Sequence, residues 1–103
     1  MRINVKLSAW KAELRLEGRL VGPWVAELAR VWMELLPELG KRQLVVDLGD
    51  VTYADEDGVE VLHVMHTETR AAFKGIGIAA RQVIEEVMRR AILPQLEERH
   101  VHD

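Results

Sequence analysis

The chain has 103 residues, 49% hydrophobic and 30% charged, and carries no cysteine. That length gives one domain with a modest core, and that composition is globular rather than disordered. A net charge of −3 argues against a nucleic-acid binder that works by neutralising phosphates, and without cysteine there are no disulfides, thiolate catalysis or zinc–sulfur sites.

No apolar run approaches the ~20 residues of a membrane span, and Met1-Arg2-Ile3-Asn4-Val5 lacks the apolar segment of a signal peptide. The expected compartment is the cytoplasm, with no membrane insertion. No linker, low-complexity tract or internal repeat divides the chain, so residues 1–103 are read as a single domain.

Ile3, Val5 and Leu7 alternate with polar residues, as do Ala12, Leu14 and Leu16. Period two predicts two strands with one buried face, joined by a hairpin turn at Ser8 to Lys11. Gly22-Pro23 opens a helix, because proline at the first helical position loses no hydrogen bond. Val25, Leu28, Ala29, Trp32, Leu35, Leu36 and Leu39 share one face of it, with Glu27, Arg30, Glu34 and Glu38 opposite. Pro37 should kink or loosen its last turn, and Gly40 supplies the stop.

Gln43 to Leu48 is a nearly continuous apolar run, which suits a central strand covered on both faces. The next helix is predicted from about Asp57 to Lys74. Val59, Leu62, Met65, Thr69 and Phe73 form its core stripe, and Glu56, Glu60, His63, Thr67, Arg70 and Lys74 its wet stripe. Gly75 ends it, and Ile76 to Ala79 reads as a short strand. Gln82 to Ile92 is the last helix, with Ile84, Val87, Met88 and Ala91 inward. Pro94 interrupts it, and Leu96 to Asp103 is a polar tail or last turn. The order β-β-α-β-α-β-α predicts an α/β layer, with helices packed against a mixed sheet.

Three stretches resemble a STAS domain, the fold of bacterial anti-sigma factor antagonists and of sulfate-transporter tails. Leu16-Glu17-Gly18-Arg19-Leu20 is similar to the family's glycine-containing second strand. Leu44 to Asp57 is similar to its strand and the loop that usually ends Asp-Ser-Ser-Gly or Asp-Ser-Thr-Gly. Gly75 to Ala79 is similar to its glycine-led next strand. In the family, a partner anti-sigma kinase phosphorylates the second hydroxyl of that loop and thereby releases the antagonist. By position, Asp55 matches the family Asp and Gly58 its Gly, while Glu56 and Asp57 stand where the hydroxyl residues belong. Asp57, the phosphosite equivalent, is not a substrate for a serine/threonine kinase. The family usually continues past the third helix with a strand and a final helix, for which Pro94 to Asp103 leaves too little chain. The apolar surface so uncovered predicts a second copy of the chain, or a partner protein, as its cover.

Two readings of the acidic loop follow. Asp55 to Asp57 sit where a helix begins, and carboxylates there accept bonds from free backbone N–H groups and face the positive end of the dipole, each worth roughly 0.3–1 kcal/mol. Alternatively, Glu56 and Asp57 imitate phosphoserine, whose charge is about −1.5 to −2. The first makes the chain an accessory subunit of a transport or larger signalling assembly. The second makes it a regulatory module that binds an anti-sigma kinase or other switch protein through Asp50, Thr52, Asp55, Glu56, Asp57, Gly58, Glu60, His63 and Thr67.

Catalysis is not expected. Consecutive carboxylates at a helix start share one wet environment, whereas acid–base pairs need environments that push their pKa values apart. The dipole opposes a cation there, and Gly75-Ile76-Gly77 lacks the third glycine of a phosphate loop. No cofactor or metal is expected. His63 and His66 are three apart on one helix, with His66 beside the core stripe, and His100 and His102 lie in the tail; all are read as surface or boundary residues. Trp24 and Trp32 are expected at the core and its edge. An exposed Trp10 would mark a contact surface, and a buried one would close the sheet end.

Overall fold

The computed structural model describes residues 1–90 in full and, beyond them, only the continuation of the last helix. Its elements are β1 (Arg2–Leu7), β2 (Lys11–Leu20), α1 (Pro23–Leu39), β3 (Gln43–Ala54), α2 (Glu56–Thr69), β4 (Ala72–Lys74) and α3 (Ile78–His102). This is the order expected from the sequence. α3 continues as one helix through Pro94 to His102, so the expected interruption at Pro94 and the non-helical tail from Leu96 are corrected; the inward placement of Ala91 and the surroundings of His100 and His102 lie outside the described residues.

The sheet has four strands in the order β1-β2-β3-β4. β1 and β2 form an antiparallel hairpin, while β3 runs parallel to both β2 and β4. Parallel neighbours need a crossover, and α1 and α2 supply the two required. The hairpin closes at Ser8, whose N–H donates to the Lys11 carbonyl at 2.9 Å while its Oγ accepts from the Lys11 N–H at 3.2 Å. Trp10, at the tip, is 85% exposed.

Alternation along β2 and β3 builds the core. Ala12, Leu14, Leu16 and Leu20 of β2, with Leu44, Val46, Leu48 and Val51 of β3, are buried. They join Leu28, Trp32, Leu35 and Leu39 of α1, Val59, Leu62 and Met65 of α2, and Ala80, Val83 and Val87 of α3 in one cluster. The odd spacing from Leu48 to Val51 is absorbed by a register shift, where Arg15 pairs with Asp47 but Glu17 with Asp50. Such an extra residue re-aims the side chains that follow.

The opposite face of the sheet is open. Glu13, Arg15, Glu17, Asp47 and Lys74 occupy it, with Lys74 Nζ reaching across β3 to Glu13 Oε2 at 3.2 Å and Arg15 Nη2 to Asp50 Oδ2 at 2.5 Å. The expectation that β3 is covered on both faces is therefore corrected. Val45 and Asp47 are only half-buried, because the helices pack on the other side.

The second half of the chain divides differently from expectation. α2 ends at Thr69, where Arg70 takes a left-handed conformation (φ 55°, ψ 38°). Ala72–Lys74 is then strand β4, pairing with Val45 to Asp47. Phe73 and Lys74 therefore belong to the sheet and not to α2. The expected strand at Ile76 to Ala79 is instead a loop and the first turn of α3, with Ile76 and Ile78 largely exposed. Gly75 connects β4 to α3 rather than ending α2. A Cβ on Gly75 would lie 2.9 Å from the Ala80 Cβ and 3.0 Å from the Gly49 N, so α3 starts directly against β3.

Candidate partner-binding loop at the carboxyl edge of the sheet

The three parallel strands end on one edge of the sheet, where their loops run into the three helices. Asp55 organises this edge. It sits in extended conformation between β3 and α2, and its Oδ1 accepts the Gly58 N–H at 2.7 Å. Its Oδ2 accepts the Gly22 N–H at 3.4 Å, its own N–H donates to the Leu20 carbonyl at 3.2 Å, and its carbonyl accepts from Val59. One short side chain thus caps α2 and ties it to the loop that leads into α1.

Gly58 explains the tightness of the packing. It is buried in the first turn of α2, and a Cβ there would fall 2.7 Å from the Leu20 carbonyl oxygen and 2.9 Å from Leu20 Cγ. Only a residue without a side chain lets α2 approach the end of β2 this closely.

Glu56 and Asp57 behave differently from Asp55. Both are exposed in the first turn of α2, and among the described residues neither forms a hydrogen bond or ion pair. The reading of Asp55 to Asp57 as one capping group divides here: Asp55 is the cap, and the next two carboxylates gain only the field of the helix dipole.

The remaining residues singled out in the sequence spread over three surroundings. Glu60 is exposed and pairs with Arg90 of α3. Thr67 is exposed and donates back to the Val64 carbonyl at 3.1 Å. His63 is half-buried rather than wet, and its Nδ1 is enclosed with no hydrogen-bond partner among the described residues. His66 points elsewhere, its Nδ1 3.0 Å from the Ala71 carbonyl and its ring 5.8 Å from that of Phe73. Asp50 is exposed but turns to Arg15 on the open sheet face, away from the acidic turn. Thr52 lies beside Tyr53 and Ala54, which with Val59 of α2 and Val83 and Glu86 of α3 line a groove of about 410 Å³.

Sequence reasoning missed Tyr53, Arg19 and the α3 wall. Tyr53 is half exposed, with the Arg19 guanidinium 5.3 Å from its ring centroid. That cation–π pair joins β2 to β3 across a register shift no periodicity reveals. The helix itself was expected over Gln82 to Ile92, but that Val83 and Glu86 face Tyr53 and Val59 depends on how α3 packs, which no local pattern shows. Trp24, expected near the core, is 41% exposed beside Gly22 and adds an aromatic ring to this edge.

No family model matches the sequence, and no curated protein matches it. Solved structures do match in fold. An anti-sigma factor antagonist, SpoIIAA in its unphosphorylated form, superposes with a TM-score of 0.64 at 13% identity, covering 82% of this chain and 82% of that one. Mglu superposes with a TM-score of 0.62 at 15% identity, covering 71% of this chain but 19% of Mglu. The fold is STAS-like: a mixed sheet with helices packed against it, in the order β-β-α-β-α-β-α. No helix among the described residues is long and apolar enough to cross a membrane.

Proposed function

We propose that this chain is a non-catalytic, cytoplasmic STAS-type regulatory module that acts by binding a protein partner through the loop at Asp55 to Gly58. Glu56 and Asp57 supply fixed negative charge where related antagonists carry a switchable hydroxyl. The observation that carries this reading is the division of labour in the loop. Asp55 alone satisfies the Gly58 N–H at the start of α2 and makes the link to Gly22, so folding does not require the two carboxylates that follow. Their exposure, on the sheet edge that also carries the exposed rings of Trp24 and Tyr53, suits recognition by a partner with a complementary basic surface.

Under this proposal Asp57 holds the module in the state that phosphorylation would otherwise create, with about the charge but not the shape of a phosphoryl group. The partner is an anti-sigma kinase-like protein or another switch protein. The test is a pull-down from the source cells with the wild type and with the Glu56→Ser, Asp57→Ser double variant. Recovery of an ATP-binding kinase of the anti-sigma type by the variant alone supports the built-in switch. Identical partners from both would mean that the carboxylates serve only the helix, as in an accessory subunit of a larger assembly.

A further inference from the structure

β1 is an edge strand that pairs with β2 alone. Its register sets Ile3 against Leu16, Val5 against Leu14 and Leu7 against Ala12, and those three β2 partners are fully buried. Residues opposite one another in an antiparallel pair share a face. Ile3, Val5 and Leu7 therefore point to the helix-covered side of the sheet. Ile3 packs against the core there, yet Val5 is 45% and Leu7 44% exposed. The helix layer stops short of the strand whose apolar row it should cover.

Proteins blunt a free edge with a bulge, a proline, an inward-pointing charge or charged side chains along the strand. β1 has only the last, Arg2 and Lys6, and both lie with Asn4 on the open face. Its ladder with β2 is unbroken from Arg2 to Leu7, so its apolar row stays unprotected.

We propose that β1 is the seam of a symmetric homodimer, in which two copies pair β1 to β1 antiparallel about a two-fold axis through Val5. Face parity and charge select this register. Setting Val5 against its own copy places Ile3 against Leu7, Asn4 against Lys6 and Arg2 against Ser8, so apolar meets apolar and no like charges oppose. A shift that puts Asn4 on the axis sets Arg2 against Lys6, and a shift the other way sets Lys6 against itself. Like charges directly opposite destabilise a sheet. The dimer joins the two sheets into one and merges the two exposed rows of Val5 and Leu7. The β2 strands of the two copies then lie about 14 Å apart, three strand spacings. Helices in contact lie about 8–10 Å apart, so the two α1 helices carried on β2 flank the merged row without touching, and the row is shielded chiefly by its own cross-seam contacts. The seam is separate from the acidic turn and leaves it free for a partner.

Sedimentation velocity and cysteine trapping on the full chain test the proposal, and the absence of native cysteine makes the trapping clean. The small contact predicts association in the micromolar range. The mass should therefore rise from 11.8 kDa to twice that value between about 1 and 500 µM. Val5→Lys should remove the association and, at concentrations where the wild type is itself monomeric, leave the thermal midpoint unchanged, because the site is half exposed. Under mild oxidation Val5→Cys should form a covalent dimer, since residues opposite on the axis have Cα atoms about 4.5–5.5 Å apart, within disulfide reach. Asn4→Cys should form no covalent dimer, its two copies being diagonal neighbours about 7–8 Å apart. A monomer throughout that range overturns the proposal, as does a dimer indifferent to Val5→Lys. Trapping of Asn4→Cys as fast as Val5→Cys overturns the register.

Discussion

Replacing Asp55 with Ala removes the acceptor for two backbone N–H groups, those of Gly58 at 2.7 Å and Gly22 at 3.4 Å. Loss of a carboxylate cap costs about 1 kcal/mol in typical helices. The longer bond to Gly22 adds about 0.5 kcal/mol, the low end for a hydrogen bond. The sum is about 1.5 kcal/mol, which for a domain of this size lowers Tm by roughly 6–12 °C. Asp57→Ser removes only a favourable interaction with the helix dipole, worth about 0.3–1 kcal/mol and screened by salt. Urea unfolding followed by circular dichroism compares the two on one scale, with an unchanged slope confirming that stability alone has moved. Asp55→Asn keeps an acceptor oxygen and should recover most of the Asp55→Ala loss. If Asp57→Ser costs as much as Asp55→Ala, the assignment of the cap to Asp55 alone is wrong, and with it the argument that Glu56 and Asp57 are spared for recognition.

Gly58→Ala forces a methyl group into the Leu20 carbonyl and should destabilise by about 1–3 kcal/mol in the same assay, although alanine is the better helix former; a neutral result would mean that α2 does not seat so tightly on β2. Leu62→Ala, at a fully buried position between α2 and the sheet, should cost about 2–5 kcal/mol, and a loss below 1 kcal/mol by urea titration would place Leu62 outside the core. The Glu13 carboxyl is held below its usual range chiefly by the hydrogen bond from Lys74, with the Lys74 and Lys11 charges adding to it and partial burial opposing it. A depressed carboxylate contributes stability above its unfolded pKa and loses it as pH falls through the folded value. The wild type should therefore lose stability as pH falls below about 4.5, and Lys74→Met should flatten that part of the profile. Glu27, held low mainly by its hydrogen bond from Arg30, remains in both proteins and sets the common background, so parallel profiles would show that the Glu13–Lys74 contact is too weakly formed to matter.

The first half of the fold was legible because its signals are local. Alternation in Ala12, Leu14 and Leu16, the Gly22-Pro23 start and the Gly40 stop each act within a few residues, and the elements formed where they pointed. The second half was not, because the decisive forces act at a distance. Thr69 and Phe73 continue the helical stripe of α2, and Ala71 and Ala72 are good helix formers, yet strand pairing of Ala72–Lys74 with β3 prevails. The stop at Arg70 is a left-handed arginine, a conformation its residue type does not announce. In the candidate site, the sequence placed a cap among Asp55 to Asp57 without singling out Asp55, and the close approach at Gly58 required the tertiary contact with Leu20. The groove wall from α3 and the Arg19–Tyr53 pair required the tertiary register.

The separation between Asp55 and the two residues after it bears on how such a loop can change over generations. Where one residue both holds the fold and carries the signal, altering the signal costs stability. Here the cap falls on Asp55, while Glu56 and Asp57 are exposed and form no hydrogen bond or ion pair among the described residues. Under the proposed function, a lineage could exchange hydroxyl for carboxylate at those two positions at the cost of little more than a dipole interaction.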